Sequence, residues 1–517
     1  MLVGDIPRRN SKLFPQKAAV IEADVTINFS HLNQRINRLA NAIIGLGMKK
    51  GDRIAVLSHN CYQYVEFYFA AAKAGTPIVP LNYRSNNEEI SYILNDSEAK
   101  MLIFNADYES LVAQVKGKTD NLEHLISLGG TTKGISDYDD LLSKAPDTEP
   151  EVSLDEDDIA ILGYTGGTTG KPKGVMTTHK NIIASCYNTA LERLIHPESI
   201  FLNVPPMFHA GDANSMFAFS FVGATNVISD SFSPEGVLRN IEEHKVTHIL
   251  LVPSMVLFLL QYPDVKKFDT KTLNIIYYGT APMPLEPLRQ AMDVFGCGFS
   301  QTYGATETFV PISILKPEDH VLDSDEESIK RMKSAGREVV GVQVKIVDKN
   351  NIELGPNRTG EIVVKGDNVM KGYWKLPALT KKALIEDWYY TGDMGMIDDQ
   401  GYIYIVDRKK DMIISGGENI YPKEIENVLF SHPVVAEASV IGVPDDLWGE
   451  AVKAFIIKKS HTDVSEKELI EYCAEHLANY KRPKSVEFVE QFPRSTAGKI
   501  LKRELKKPFW TNKQRKV

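Results

Sequence analysis

Apolar positions in the first third of the chain follow two alternating rhythms. Leu32, Ile36, Leu39 and Ile43 recur at helical spacing, and Gly45 and Gly47 close that segment. Arg53-Ile54-Ala55-Val56-Leu57 follows, an apolar run without alternation, which is how a strand buried on both faces reads. The pattern predicts a helix over 62–74 stopped by Gly75, then strands at 77–81 and 101–104. It returns as apolar runs at 248–252 and 273–278. Strands alternating with helices predict an α/β fold of layered sheets with parallel strands. Around 339–406 short strands and turns take over, Val342-Gln343-Val344-Lys345-Ile346-Val347 among them, so a β-rich subdomain is expected there. After Asp407-Arg408-Lys409-Lys410-Asp411 a compact α+β segment runs to about 505. At 517 residues the chain is too long for one ordinary core. The expected division is a large N-terminal domain over 1–407 and a small C-terminal domain over 408–517.

Composition narrows the class. Hydrophobic residues at 43% and charged residues at 25% exclude disorder, collagen-like repeats and a disulfide-dense scaffold. No run of about 18 uncharged apolar residues appears, so no transmembrane helix is expected. Met1-Leu2-Val3-Gly4-Asp5 does not open a secretory signal. Cys61, Cys186, Cys297 and Cys473 lie far apart without a C-x-x-C pair, which argues against structural zinc and for a reducing cytoplasm. They are expected as small buried apolar residues.

The net charge of −9 is unevenly spread. Residues 408–517 hold 20 Lys+Arg against 16 Asp+Glu, whereas 1–407 hold 39 against 52. The acidic body argues against nucleic acid as a partner. The basic end (Lys502, Arg503, Lys506, Lys507, Lys513, Arg515, Lys516) reads as a solvated tail, with peripheral contact to an anionic membrane as the other reading.

The densest chemistry lies at Tyr164-Thr165-Gly166-Gly167-Thr168-Thr169-Gly170-Lys171-Pro172-Lys173-Gly174, after the apolar strand Ile159-Ala160-Ile161-Leu162. Glycines let backbone N–H groups approach an anion, while threonine hydroxyls and lysines add donors and charge, which together suit a polyphosphate. It is not a Walker A loop: Thr165 and Pro172 stand where that pattern needs Gly and Ser/Thr. In Gln301-Thr302-Tyr303-Gly304-Ala305-Thr306-Glu307, an aromatic ring, a hydroxyl and a carboxylate could stack a base, meet a phosphate and hold Mg²⁺. In Tyr390-Thr391-Gly392-Asp393, a carboxylate after a turn glycine suits vicinal ribose hydroxyls.

The 164–174 loop resembles the phosphate-binding signature of the acyl-adenylate-forming enzymes: acyl-CoA synthetases, aryl-CoA ligases, firefly-type luciferases and peptide-synthetase adenylation domains. The family's other motifs follow in order to residue 499, so the resemblance covers nearly the whole chain. It implies that Thr165, Gly166, Gly167, Thr168, Thr169, Gly170, Lys171 and Lys173 cradle the phosphates of ATP. It implies that Tyr303 lies at adenine, Thr306 at the α-phosphate and Glu307 at the metal, with Gly304 also among the nucleotide-binding residues. Asp393 takes the ribose with Arg408 as partner, and Gly279-Thr280-Ala281-Pro282 runs along the adenine. Lys499, in Pro493-Arg494-Ser495-Thr496-Ala497-Gly498-Lys499, matches the adenylation lysine. Ser415, Gly416, Gly417 and Glu418 match the loop that shapes the coenzyme A channel. Lys410 falls at the hinge, where many members have Asp, and Gly166 stands where many have Ser.

Pro205-Pro206-Met207-Phe208-His209-Ala210 matches the segment beside the acyl group, giving His209 a role in orienting the carboxylate or gating its entry. Asp212 is unexpected beside an apolar chain: either it points away, or the substrate carries a polar or cationic group. The resemblance implies an AMP-forming acyl-CoA synthetase using ATP, Mg²⁺ and coenzyme A, in which a mobile small domain presents Lys499 and then the Gly416–Gly417 face. The 499–510 stretch looks like the tails of fatty- and medium-chain members. An aliphatic acid is therefore expected, with aryl acids of the coumarate or benzoate type as runner-up. Loading of a separate carrier protein and a silent acyl- or nucleotide-binding protein are the other readings. A monomer or homodimer is expected.

Overall fold

Asn28 caps the first long helix, Phe29–Gly45, by accepting from the His31 backbone N–H at 2.8 Å. Its stripe of Leu32, Ile36, Leu39 and Ile43 is buried, as the spacing predicts. The next helix, Tyr62–Ala74, stops at Gly75, whose φ of +71° is the left-handed geometry that ends helices. It is buried nearly all round, which explains why its sequence lacks a polar face. The computed structural model describes residues 1–130, 134–165, 171–280, 283–321, 325–416, 418–445, 447–459, 462–494 and 500–510.

Packing divides the chain into two compact units. The first comprises Met1–Val344, Val364–Tyr389 and Gly401–Ile403. It contains a nine-stranded sheet in the spatial order Arg337–Glu338, Val310–Leu315, Gly298–Ala305, Ile275–Gly279, His248–Leu251, Ile200–Asn203, Thr225–Ile228, Ala18–Glu22, Val25–Asn28. The middle six strands are parallel, and the edge strands join antiparallel. An eight-stranded sheet runs Gly372–Tyr373, Lys173–Thr178, Ile159–Thr165, Ile78–Pro80, Arg53–Leu57, Ala99–Asn105, His124–Leu128, Ser136–Asp137. It too is parallel apart from the strands Lys173–Thr178 and Gly372–Tyr373. This is the layered α/β fold expected from the alternation, with antiparallel margins that the periodicity did not show.

The second unit comprises Lys345–Val363, Tyr390–Gln400 and Tyr404–Val517. Its α+β part is a sheet ordered Glu418–Ile420, Ile413–Ser415, Gly449–Lys458, Val435–Asp445, with Ser485–Phe488 parallel to Gly449–Lys458. Ile425, Leu429, Leu469 and Cys473 from two helices fill its core. Cys61, Cys186 and Cys473 are buried and Cys297 is half-buried, all as free thiols. Burial pushes the Cys61 thiol up to about 12, so it stays protonated and unreactive. Among the described residues, no helix is long and apolar enough to cross a membrane.

Candidate active site

Strands Ile159–Thr165 and Lys173–Thr178 pair antiparallel, Thr165 opposite Lys173 and Tyr164 opposite Gly174. The strand ends that flank the glycine-rich connection are therefore pinned to each other. Gly166, Gly167, Thr168, Thr169 and Gly170 themselves lie outside the described residues. The flanks are held by aromatic groups. Tyr164 donates its hydroxyl to Asp96 Oδ2 at 2.6 Å, and Tyr92 donates to the Pro172 carbonyl at 3.3 Å. Lys171 Nζ sits 5.1 Å from the Tyr92 ring centroid, and Lys173 Nζ 5.2 Å from that of Tyr373. Both ammonium groups are thus placed by ring faces.

The second motif ends strand Gly298–Ala305 and turns through the short 3₁₀ segment Thr306–Thr308. The ladder slips between Tyr303 and Gly304, and a Cβ on Gly304 would stand 2.7 Å from the Val310 carbonyl oxygen. Only glycine fits this bulge, which re-aims the chain leading to Thr306 and Glu307. Thr306 Cγ2 lies 3.5 Å from where a Cβ on Gly163 would be, so the motif meets the hairpin. Glu307 is anchored twice: its carbonyl accepts from Met370 N at 2.7 Å, and its Oε1 accepts from the Tyr373 hydroxyl at 2.9 Å. Burial, then the Glu307 charge, push the Tyr373 phenol up, which keeps it a neutral donor. Lys173, Tyr373 and Glu307 therefore form one cluster. Neither length nor periodicity marks Tyr373, and the sequence reading missed it.

Gly279 pairs with Thr302 on the neighbouring strand, and Thr280 follows with a φ of +67°, a left-handed residue at the strand's end. Ala281 and Pro282 lie outside the described residues. His209 stands at the N-cap of helix Ala210–Val222, its ring 4.2 Å from that of Phe208. Asp212, in the first turn, is 1% exposed, and neither carboxyl oxygen has a hydrogen-bond partner among the described residues. Burial raises its carboxyl well above the ordinary range, so it is held as the neutral acid. It faces inward; burial likewise pushes up the phenol of the neighbouring Tyr68, which donates to the Met207 carbonyl at 2.7 Å.

In the second unit, Arg408 Nε lies 2.7 Å from Asp393 Oδ1. Thr391 Oγ1 accepts from Asp393 N at 3.0 Å and donates to the Ile362 carbonyl, fixing the turn. Lys409 reaches Glu361 Oε2 at 2.6 Å, and Lys410 is exposed next to it. Ser415 pairs with Glu418, and Gly416 donates to the Trp448 carbonyl at 2.8 Å. Gly416 has a φ of +61° and lies against the Trp448 ring, so a side chain is excluded twice over. Glu418 is exposed. Gly417 and Lys499 lie outside the described residues; Arg494 and Ile500 form an isolated antiparallel bridge.

The AMP-binding enzyme family matches residues 7–374, and the AMP-binding enzyme C-terminal domain matches 424–499. A feruloyl-CoA synthase from Amycolatopsis sp is 35% identical over 98% of this chain and 99% of its own. A long-chain-fatty-acid–CoA ligase from Mycobacterium tuberculosis is 34% identical over 98% of each chain. The solved o-succinylbenzoate CoA synthetase from Bacillus subtilis, in complex with its acyl-adenylate intermediate, superposes with a TM-score of 0.85 at 33% identity, covering 97% of both chains. The chain belongs to the AMP-binding enzyme family, within the acyl-adenylate-forming superfamily and of its CoA-ligase type. It is an AMP-forming acid–thiol ligase.

Proposed function

We propose that this chain joins a carboxylic acid, by preference an aliphatic one of medium or long chain, to AMP with release of pyrophosphate. It then passes the acyl group to coenzyme A. A carboxylate resists attack because oxide is a hopeless leaving group. Adenylation replaces it with a phosphate monoester, which the coenzyme A thiol displaces as AMP. No side-chain nucleophile is needed, so positioning and electrostatics supply the rate. The observation that carries this reading is the cluster in which Tyr373 links the hairpin lysine Lys173 to Glu307. In this reading it sets one cation for a triphosphate beside one oriented carboxylate.

Magnesium suits that donor set. No group of three His, Cys, Asp or Glu stands together among the described residues, so Glu307 would supply one oxygen and the nucleotide and water the rest. When bound, the ion would neutralise charge on the departing pyrophosphate. In this reading Thr306 meets the α-phosphate, Tyr303, Gly279 and Thr280 meet the adenine, and Asp393 with Arg408 holds the ribose. His209 orients the acid, Lys499 neutralises charge as the acyl–phosphate bond forms, and Ser415–Glu418 serves the thioester step.

The test measures pyrophosphate release over a panel of acids of graded length and aromaticity, with and without coenzyme A. Lys499→Ala is expected to abolish acid-dependent ATP–pyrophosphate exchange and to spare thioester formation from supplied acyl-AMP. Equal loss in both half-reactions overturns the role given to Lys499. Absence of pyrophosphate release with every acid overturns the reading itself.

A further inference from the structure

Helix His179–Glu192 departs from the usual pattern of a surface helix, in which the solvent side is polar. The two residues it exposes are Tyr187 and Leu191, 50% and 56% exposed and one turn apart on the same face. Leu194 extends this stripe past the helix end and is 71% exposed. Its φ is +48°, and Ile195 N donates to the Ala190 carbonyl at 3.1 Å, a closure that ordinarily takes Gly or Asn. Neither backbone geometry nor packing therefore accounts for a leucine there. Glu192, the one acid of this helix, is drawn away to Lys316 Nζ at 3.0 Å and its side chain is 8% exposed.

The stripe continues onto two neighbouring helices. The Phe221 ring, near the end of helix Ala210–Val222, meets that of Tyr187 edge-on at 4.8 Å between centroids. Helix Asp5–Leu13 is tied to the same place: the Asn10 side-chain amide donates to the Ser220 carbonyl at 2.6 Å, and Arg9 Nη1 donates to the Phe221 carbonyl at 3.5 Å. Arg9, Lys12 and Leu13 are all exposed, Leu13 at 54%, and their spacing puts them on one side of that helix. Arg8 is tied to Asp5 at 2.5 Å, and Glu198 lies beside Lys17. An apolar stripe bordered by cations thus stands on a body that is acidic as a whole.

We infer that this face docks on an anionic lipid bilayer, with Leu13, Tyr187, Leu191 and Leu194 entering the headgroup boundary and Arg9 and Lys12 meeting lipid phosphates. Apolar side chains gain by leaving water for that boundary, while tyrosine keeps its hydroxyl among the headgroups. The basic residues add attraction that falls off within a Debye length, so it acts only where they meet the surface. Charge decides between the occupants of the face. A two-fold pairing of copies would crowd Arg9 and Lys12 of both into one interface, whereas an anionic bilayer neutralises them. The inference stands apart from the choice of acid.

The experiment is co-sedimentation of the full-length protein with vesicles of phosphatidylcholine, alone or mixed with phosphatidylglycerol, at low and high salt. The wild type is expected to bind the mixed vesicles about 10-fold more tightly than the neutral ones, a margin that high salt removes. Leu191→Gln combined with Leu194→Asn, which suits the left-handed backbone, should weaken binding to both about 10- to 100-fold. Arg9→Gln combined with Lys12→Gln should erase the margin between the two vesicle types. Thermal melts of both double variants report folding. Ile352→Gln, which removes a 61% exposed apolar residue of the second unit, should bind as the wild type does. So should the tail variant Lys513→Gln, Arg515→Gln, Lys516→Gln. The inference is overturned when the wild type ignores mixed vesicles or binds both kinds equally, or when the leucine variant binds undiminished. Loss of binding in the tail variant, with both face variants unaffected, moves the contact to the basic end and overturns it too. Self-association of the wild type in sedimentation velocity, abolished by the leucine variant and without vesicle binding, assigns the face to a second copy instead.

Discussion

Arg408 Nε contacts Asp393 Oδ1 at 2.7 Å, joining a half-exposed guanidinium to a carboxylate that is 8% exposed. The geometry holds the acid in one orientation before any ligand arrives, and the Thr391 hydroxyl fixes the backbone beneath it. Asp393→Asn is expected to raise the KM for ATP about 10- to 100-fold while changing the KM for the acid little, since an amide loses the charge-assisted hydrogen bonds. Arg408→Ala should move the same parameter by less, because its partner stays anchored. Initial rates at varied ATP check this. An unchanged ATP KM with a lowered kcat would remove the ribose assignment.

The Tyr373 hydroxyl anchors Glu307, and the ring face positions Lys173. Glu307→Gln is expected to cut the pyrophosphate-forming step about 100- to 1000-fold, the scale seen when one preorganised electrostatic contact is lost. Tyr373→Phe retains the ring beneath Lys173 and loses only the hydrogen bond, so a decrease of about 10-fold is expected. The Mg²⁺ concentration needed for half-maximal exchange should rise in both variants. Titration of ATP–pyrophosphate exchange with magnesium measures it, and an unaltered magnesium requirement would detach Glu307 from the metal.

Much of this architecture was legible because burial writes itself into local pattern. Tyr62–Ala74 ends at the glycine that the pattern marks, and strand Arg53–Leu57 coincides with its apolar run. The Asp393–Arg408 pairing followed from the resemblance and appears as a contact. What local pattern lacked was pairing across distance. Strand Lys173–Thr178 is half polar and short, and only the hydrogen-bond ladder to Ile159–Thr165 defines it. Tyr373 is 66 residues from Glu307, and no spacing rule links them. Asp212 looked out of place beside an acyl site, and the structure places it inside.

Asp212 also couples stability to pH. Burial raises its carboxyl in the folded state, so the native protein binds the proton more tightly than the unfolded chain does. The associated stability is full below the ordinary carboxyl pKa of 3.8 and is lost as pH rises through the elevated folded value. Asp212→Asn keeps the shape and cannot ionise. Its Tm relative to wild type is therefore expected to increase from pH 5 to pH 8. Parallel melts at the two pH values test this, and a constant difference would show that the side chain is not held neutral.

Gly336 gives the sharpest stability prediction in the nine-stranded sheet. Its φ is +81°, and a Cβ would stand 2.0 Å from the backbone carbon and oxygen of Ile314. Its carbonyl accepts from Ile403 N at 2.8 Å, so the backbone is held on that side as well. A methyl group can neither rotate away nor push aside a flexible neighbour, because the obstacle is main chain. Gly336→Ala is expected to cost roughly 3 kcal/mol or more, combining a left-handed penalty with overpacking. Gly117 is the control: it closes helix Glu109–Lys116 at a φ of −71°, and a Cβ there meets nothing within 4 Å. Gly117→Ala should leave the Tm unchanged or raise it slightly. Chemical denaturation of both variants measures the difference. Equal midpoints would mean that the edge strand Arg337–Glu338 can leave the sheet without cost.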